Sequence, residues 1–471
     1  MGPSGAGGWL VCEDPCGGPP LGRVRASSPA DVDRAVARAR RAQPEWAALA
    51  PTARAAPLAA LAARLRDRRE ELAELDARDT GNLLRRMRAD VDMAADTLER
   101  FAGYATVATG SAVDGGAERL HLVLREPFGV VGRIVAFNHP LLFAASRLAA
   151  PLLAGNAVLL KPSEVAPRSA EVLAELCADL FPDGLVQVVQ GTADVGRALV
   201  AHPDVRRLAF IGSVATGRTI AEAAARVAVK TVTLELGGKN PLVVCDDVPP
   251  ERAAELAVRG LNLGTAGQSC GSTSRLLVHS SLHDAVVEAV VERLRAVRVG
   301  DPLDPATGMG PLSSAAQHGR VAAAVARARD QGARVVTGGG RPPGPAYAAG
   351  NWFAPTVLDG VGPDIDVFRT EVFGPVLTVT PWRTPAEAVE LANATGYGLA
   401  ASVLTDRTGD ALALARAIDA GYVWVNDVSV HWPGLPFGGH RDSGVGTEES
   451  LDELTSYTQS KAVHLPVARV T

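Results

Sequence analysis

From residue 129 onward, short apolar runs alternate with helical stretches, and this rhythm constrains the fold more than any other feature of the chain. Apolar runs at 129–137, 157–161, 185–190 and 206–211 are separated by helical stretches at 141–154, 167–180 and 193–201. Parallel neighbouring strands need a crossover connection, so strand–helix–strand alternation predicts βαβ units and an α/β protein with parallel sheets. A second alternating set follows residue 240. Its strands are expected near 241–245, 274–279, 334–337, 376–380, 400–404 and 421–425, with helices near 250–263, 281–297, 314–331, 385–394 and 408–418. Upstream, Ser28 caps a helix with Pro29 at its first position and Asp31 in its first turn. Apolar periodicity continues through Val32, Ala35, Val36 and Ala39. Further helices are expected over 51–78 and 86–108. Residues 1–26 read as an edge segment, 117–125 as a strand or hairpin, and 455–468 as a strand-like tail.

The composition narrows the function. The 471 residues leave room for two large domains or three unequal ones. Lys+Arg 47 against Asp+Glu 52 gives a net charge of −5, so no basic excess draws the chain to nucleic acid or an anionic membrane. No apolar run reaches the ~18–20 residues of a membrane span. Met1-Gly2-Pro3-Ser4-Gly5 lacks the basic and apolar regions of a secretory signal. Five cysteines cannot form a disulfide framework, and a reducing, cytoplasmic setting is expected. The nine histidines show no metal-ligand spacing, so no metal is expected.

Five segments carry candidate chemistry. In Leu234-Glu235-Leu236-Gly237-Gly238-Lys239, a carboxylate at a strand end precedes two glycines that let the backbone turn sharply. An apolar setting would raise the pKa of Glu235 and suit it to act as a base. In Gly267-Gln268-Ser269-Cys270-Gly271, a cysteine between small residues is open to close approach. As a nucleophile it would need a base or a positive field. In Phe137-Asn138-His139-Pro140, an amide at a strand end can donate to a developing oxyanion. Lys161-Pro162-Ser163-Glu164 ends a buried strand with a pair able to hold ribose hydroxyls. Phe210-Ile211-Gly212-Ser213, with Gly217, reads as strand, turn and helix start, where backbone N–H groups can face pyrophosphate.

Together with Glu371-Val372-Phe373-Gly374-Pro375 and Pro436-Phe437-Gly438-Gly439, these segments resemble the aldehyde dehydrogenase superfamily, in the family's order, over essentially the whole chain. The resemblance implies Cys270 as nucleophile, Asn138 and the Cys270 N–H as oxyanion hole, and Glu235 as base. It implies cofactor contacts at Phe137, Lys161, Glu164, Gly196, Phe210, Gly212, Ser213, Leu236, Gly237, Glu371 and Phe373. It further implies a Rossmann-like cofactor domain over 1–108 and 126–237, an α/β catalytic domain over 238–445, and a small β oligomerisation element from 109–125 and 455–471. A homodimer or homotetramer is expected, because both pieces of that element leave the main body.

The implied reaction oxidises an aldehyde to an acid through a cysteine thioester. NAD is expected, since Glu164 would repel a 2′-phosphate; the neighbouring Lys161 keeps NADP open. Two rivals are a CoA-acylating aldehyde dehydrogenase, which needs no water-activating Glu235, and a silent structural or binding member. The chain departs from the family near the substrate mouth. His139 stands where many relatives carry an aromatic residue, Ser269 precedes the nucleophile, Ser429 and His431 precede Pro436, and Thr447 replaces a frequent Arg. His139 and His431 are expected to make the mouth polar and to favour a polar or anionic aldehyde.

Overall fold

A computed structural model describes residues 8–107 and 109–467, and among them four sheets form. The six-stranded sheet runs in the order Gly444–Val445, Thr231–Glu235, Val205–Ile211, Val130–Ile134, Ala157–Lys161, Val186–Val188. All its pairings are parallel except that of Gly444–Val445 with Thr231–Glu235. The seven-stranded sheet runs Arg334–Thr337, Thr356–Asp359, Val376–Trp382, Arg275–His279, Pro241–Val244, Ala400–Leu404, Tyr422–Val425, with only the first pairing antiparallel. Both are the α/β sheets that the alternation predicts. The interior strands Val130–Ile134, Ala157–Lys161 and Ala400–Leu404 are buried along their whole length, as strands covered on both faces must be.

The first helix, Pro29–Ala48, begins as expected. Ser28 accepts from the Asp31 N–H, while Asp31 returns a bond to the Ser28 N–H, closing a capping box. The expected helix over 51–78 is instead two, Pro51–Asp67 and Arg69–Thr80, broken where Arg68 leaves helical geometry at φ −105° and ψ 22°. No Gly or Pro marks that break. The next helix runs Leu84–Gly103 rather than 86–108, and the stretch 141–154 divides into Pro140–Ser146 and Ala149–Leu153 around Arg147. The strand Thr356–Asp359 has no counterpart in the sequence reading. It is four residues long and follows a Gly/Pro-rich loop, too short to show a period.

The edge segment is a hairpin of Trp9–Cys12 with Gly22–Arg25. The strand-like pieces near 117–125 and 455–468 form one three-stranded sheet, Thr458–Pro466, Arg119–Pro127, Ser111–Asp114, standing away from both cores. The ends of the chain on which the expectations for 1–7 and 468–471 fall lie outside the described residues.

Candidate active site

The six-stranded sheet opens its crevice at the carboxyl ends of its parallel strands, where Asn138, Lys161, Gly212 and Glu235 collect, whereas Cys270, Glu371 and Phe373 precede the strands Arg275–His279 and Val376–Trp382 and lie at the amino ends of the seven-stranded sheet. Glu235 closes the strand Thr231–Glu235. Its backbone carbonyl accepts from the Gly212 N–H at 3.0 Å, which ties the base to the phosphate-type turn. Its side chain is buried, and Oε1 has no hydrogen-bond partner among the described residues. Burial, and next the charge of Glu448, push its carboxyl well above the usual range.

Cys270 lies on a loop and is partly exposed. Asn240 fixes that loop by donating from Nδ2 to the Cys270 carbonyl at 2.6 Å and the Ser272 carbonyl at 3.0 Å, while its Oδ1 accepts from the Ala400 N–H. Gly267, at φ +72°, lets the loop pass the 371–375 segment: a Cβ there would sit 2.3 Å from the Gly374 carbonyl oxygen. Burial, then the charges of Glu371, Glu235 and Glu449, push the Cys270 thiol up to about 12. The same groups that raise it show that nucleophile and candidate base share one electrostatic environment.

Asn138 follows the strand Val130–Ile134 and is buried. Asn82 holds its backbone by donating to the Asn138 carbonyl at 2.8 Å, and the adjacent Leu83 N–H donates to the Gly264 carbonyl at 2.9 Å in the approach to Cys270. The turn at Gly81–Leu83 thus bridges the oxyanion candidate and the nucleophile loop. The Asn138 side-chain amide makes no hydrogen bond among the described residues, so it is free to donate.

The dinucleotide candidates form a second group. Gly212 and Gly217 keep the helix entrance bare: a Cβ at Gly212 would meet the Phe210 ring at 2.4 Å, and one at Gly217 the Leu236 side chain at 2.6 Å. Ser213 caps the helix Val214–Val227. Lys161 Nζ donates to the Pro162 carbonyl and lies 3.4 Å from Glu164 Oε2; its stem runs 3.6 Å from the position of a Gly196 Cβ. Glu371 accepts from the Gly238 N–H at 3.1 Å, and burial raises its carboxyl to about 7. A Cβ at Gly237 would sit 2.0 Å from Glu371 Oε2, so any larger residue there would displace that carboxylate. Phe373, in left-handed geometry at φ 53°, meets the Phe137 ring edge-on at 5.8 Å. Two carboxylates for ribose hydroxyls, an open glycine turn at a helix start and an aromatic pair fit a nicotinamide dinucleotide.

Of the mouth candidates, Ser429 donates from Oγ to the Gly271 carbonyl at 3.3 Å and accepts from Asn262. His431 Nε2 lies 4.0 Å, and Ser269 Oγ 3.8 Å, from the position of a Gly271 Cβ. These three therefore cluster beside the nucleophile. His139 is more enclosed than a rim residue: its side chain is 8% exposed and pairs with Asp90.

The sequence reading missed the groups behind Glu235. Arg133 donates to Glu448 Oε1 at 2.8 Å and to the Tyr457 hydroxyl, and Arg147 lies 2.8 Å from Glu448 Oε2 and 3.1 Å from Glu449. Burial pushes Glu448 up, but the two arginines outweigh it and hold that carboxyl below its usual value. The clue in the sequence was Thr447-Glu448-Glu449, two adjacent acids straight after a strand that returns to Glu235. Asn82, Asp90 and Asn240 carried no such clue.

The family is settled by comparison. The sequence profile described as "Aldehyde dehydrogenase family" matches residues 5–463. An aldehyde dehydrogenase of Talaromyces stipitatus, tropH, is 41% identical over 97% of this chain and 90% of its own. The crystal structure of PnpE from Pseudomonas sp. WBC-3 aligns with a TM-score of 0.95 at 39% identity, over 98% of this chain and 96% of that one. PnpE is also known in complex with nicotinamide adenine dinucleotide, at the same TM-score and identity over 98% and 95% of the two chains. A point mutant of Staphylococcus aureus betaine aldehyde dehydrogenase, solved with NAD+ and a BME-modified cysteine, aligns with a TM-score of 0.95 at 32% identity over 98% and 94%. The chain belongs to the aldehyde dehydrogenase family and is an oxidoreductase that oxidises aldehydes with a nicotinamide cofactor.

Proposed function

We propose that this enzyme oxidises its aldehyde hydrolytically, through a thioester on Cys270, with NAD as cofactor. The observation that carries this reading is the buried, unpartnered Glu235 carboxyl sharing its surroundings with the Cys270 thiol. Lys161, Glu164, Gly196, Gly212 and Ser213 would hold the adenosine and pyrophosphate end, and Glu371 and Phe373 the nicotinamide end. Phe137, Phe210, Leu236 and Gly237 shape the walls between them. Bound NAD supplies a two-electron acceptor. The NAD complex of a relative 39% identical supports this choice.

The chain's own groups do the rest. The Cys270 thiol gives its proton to the ionised form of Glu235, which passes it to solvent, and the sulfur adds to the aldehyde carbon. The carbonyl oxygen gains negative charge, and Asn138 Nδ2 and the Cys270 N–H donate to it. Cys270 carries the acyl group as a thioester between the two half-reactions, which splits one hard oxidation into two easier steps. Glu235, once ionised, is a stronger base than an exposed carboxylate because burial has raised its proton affinity. It takes a proton from water, the hydroxide adds to the acyl carbon, the S–C bond breaks, and acid and thiolate separate. A buried base beside the thioester favours water over CoA as the acceptor.

Cys270→Ser is expected to lower kcat by at least ~10³-fold, and Asn138→Ala by about 10²–10³-fold. NADH formation measured on an aldehyde panel tests both. Parent-like turnover in Cys270→Ser would end this reading. The three-part division, with boundaries near 108, 126, 238 and 445, belongs to the same proposal. So does assembly as a homodimer or homotetramer, supported by Val113, Leu120, Leu124 and Leu465, which stand exposed on the three-stranded sheet. A monomer in solution scattering would refute it. A cytoplasmic location is supported by five free cysteines. Among the described residues no helix is long and apolar enough to cross a membrane.

A further inference from the structure

Two histidines stand next to the groups assigned to catalysis, and each is backed in the same way. His431 Nδ1 lies 2.9 Å from Glu449 Oε2, and Glu449 Oε1 accepts from Arg147 Nη2 at 3.1 Å. His139 Nδ1 lies 2.6 Å from Asp90 Oδ2, and Asp90 Oδ1 lies 3.2 Å from Arg86 Nη2. Each series reads imidazole, carboxylate, guanidinium. The two series also touch. His139, Phe143 and Arg147 recur every four residues and so share one side of the helical segment Pro140–Ser146 and its flanks. The His139 ring meets the Phe143 ring edge-on at 5.5 Å, and the Arg147 guanidinium lies 5.8 Å from the same ring.

A carboxylate at Nδ1 makes that nitrogen the donor and leaves Nε2 as the free polar atom of the ring. Among the described residues, Nε2 of neither ring has a hydrogen-bond partner. For His431 the free nitrogen borders Gly271, the residue after the nucleophile, and the side chain is 27% exposed. The ring is also held in place. Phe437 lies 4.4 Å away and Tyr422 stacks at 5.8 Å, centroid to centroid. Glu449 itself sits at φ 72°, a left-handed backbone that a non-glycine residue keeps only where its surroundings impose it. Its charge is met by His431 on one oxygen and Arg147 on the other, so the cluster turns a nitrogen rather than a carboxylate toward the Cys270 loop.

Resting on the reading of Cys270 as nucleophile, we propose that His431, backed by Glu449, selects an acidic aldehyde, one that carries a carboxylate or similar oxyanion at its far end, with His431 Nε2 as the contact and the enclosed His139, joined to it through Phe143 and Arg147, as a positioning residue. To meet an anion Nε2 must carry a proton too, and a ring with a carboxylate at each nitrogen is then held by two charge-assisted hydrogen bonds. A plain alkyl aldehyde seated there would strip water from that nitrogen and offer it no partner, so the site also discriminates against the neutral substrate.

The test compares succinic semialdehyde and its six-carbon homologue with their methyl esters, using the full-length enzyme and NAD. The parent is expected to favour the acids over the esters in kcat/KM by about tenfold or more. His431→Gln, His431→Asn and Glu449→Gln are each expected to lower that acid-to-ester ratio about tenfold, mainly through KM for the acid, and His139→Gln less so. A parent that uses the esters as well as the acids, or variants that slow acid and ester alike, overturns the proposal. If neutral aldehydes are oxidised and the acids ignored, this inference fails while the Cys270 reading stands. If no aldehyde of any kind reduces NAD, the Cys270 reading fails and takes this inference with it.

Discussion

Arginine–carboxylate pairs on the helices between 51 and 103 and those beneath Glu235 use the same functional groups to opposite ends. On the helices, Arg66 reaches Asp96 at 2.7 Å and Glu99 at 2.5 Å, and Arg69 pairs with Asp92 at 2.8 Å. Every one of those side chains is at least 35% exposed. Water screens such pairs, and each is worth about 0–1 kcal/mol. Beneath Glu235, Arg133 and Glu448 are 1% and 2% exposed and Arg147 is 6% exposed. There each charge has given up its water and depends on its partner. The surface net is replaceable. The interior one helps to decide when Glu235 holds its proton, since Glu448 is the leading charge acting on it.

The contrast is broken or sharpened by substitutions on each side. Arg133→Leu leaves Glu448 short of a buried partner and is expected to cost ~3–5 kcal/mol, read as a large fall in Tm. A fall no greater than that of a surface variant would erase the distinction. Glu448→Gln removes the anion that discourages Glu235 from ionising. The acid limb of the kcat–pH profile should then move to lower pH, and an unmoved limb would separate the cluster from the base.

Asp76 supplies a third case. Burial lifts its carboxyl to about 8, while Oδ2 accepts from the Leu141 N–H at 2.9 Å. Between an unfolded value of ~3.9 and the folded one, the folded protein holds the extra proton. The associated stability is therefore complete below the unfolded value, declines as pH rises, and is lost once the folded value is passed. Asp76→Asn keeps an oxygen for Leu141 and is expected to flatten the dependence of Tm on pH between 5 and 8. An unchanged slope would show that Asp76 is ionised in the native protein. The smallest effect belongs to Arg66→Ala, expected below ~1 kcal/mol and smaller still in about 0.5 M salt.

Much of this was legible in the sequence, for identifiable reasons. The buried strands announced themselves as apolar runs, and Ser28-Pro29-x-Asp31 marked a helix start by its chemistry. The glycines at 212, 217, 237 and 267 stood out as turn residues beside strands and helix starts, and a Cβ at any of them would come within 2.6 Å of a neighbour. What escaped lacks a local signal. The break at Arg68 lies in a run of charged residues with no Gly or Pro, and Thr356–Asp359 is too short for periodicity. Asn82, Asn240 and Arg133 act on residues 56, 30 and 315 positions away, and no single-sequence pattern records such pairings. The pairing of Glu449 with His431, 18 positions away, escaped for the same reason, although both residues stood out by their type.

The burial and nearby carboxylates that push the partly exposed Cys270 thiol up have a practical consequence for the resting enzyme. Peroxide and alkylating reagents act on the ionised form of a cysteine, so a thiol pushed up to about 12 gives them little to react with. The idle thiol is thus expected to react with peroxide more slowly than a cysteine of ordinary acidity and equal exposure. Its reactivity would be released chiefly during turnover.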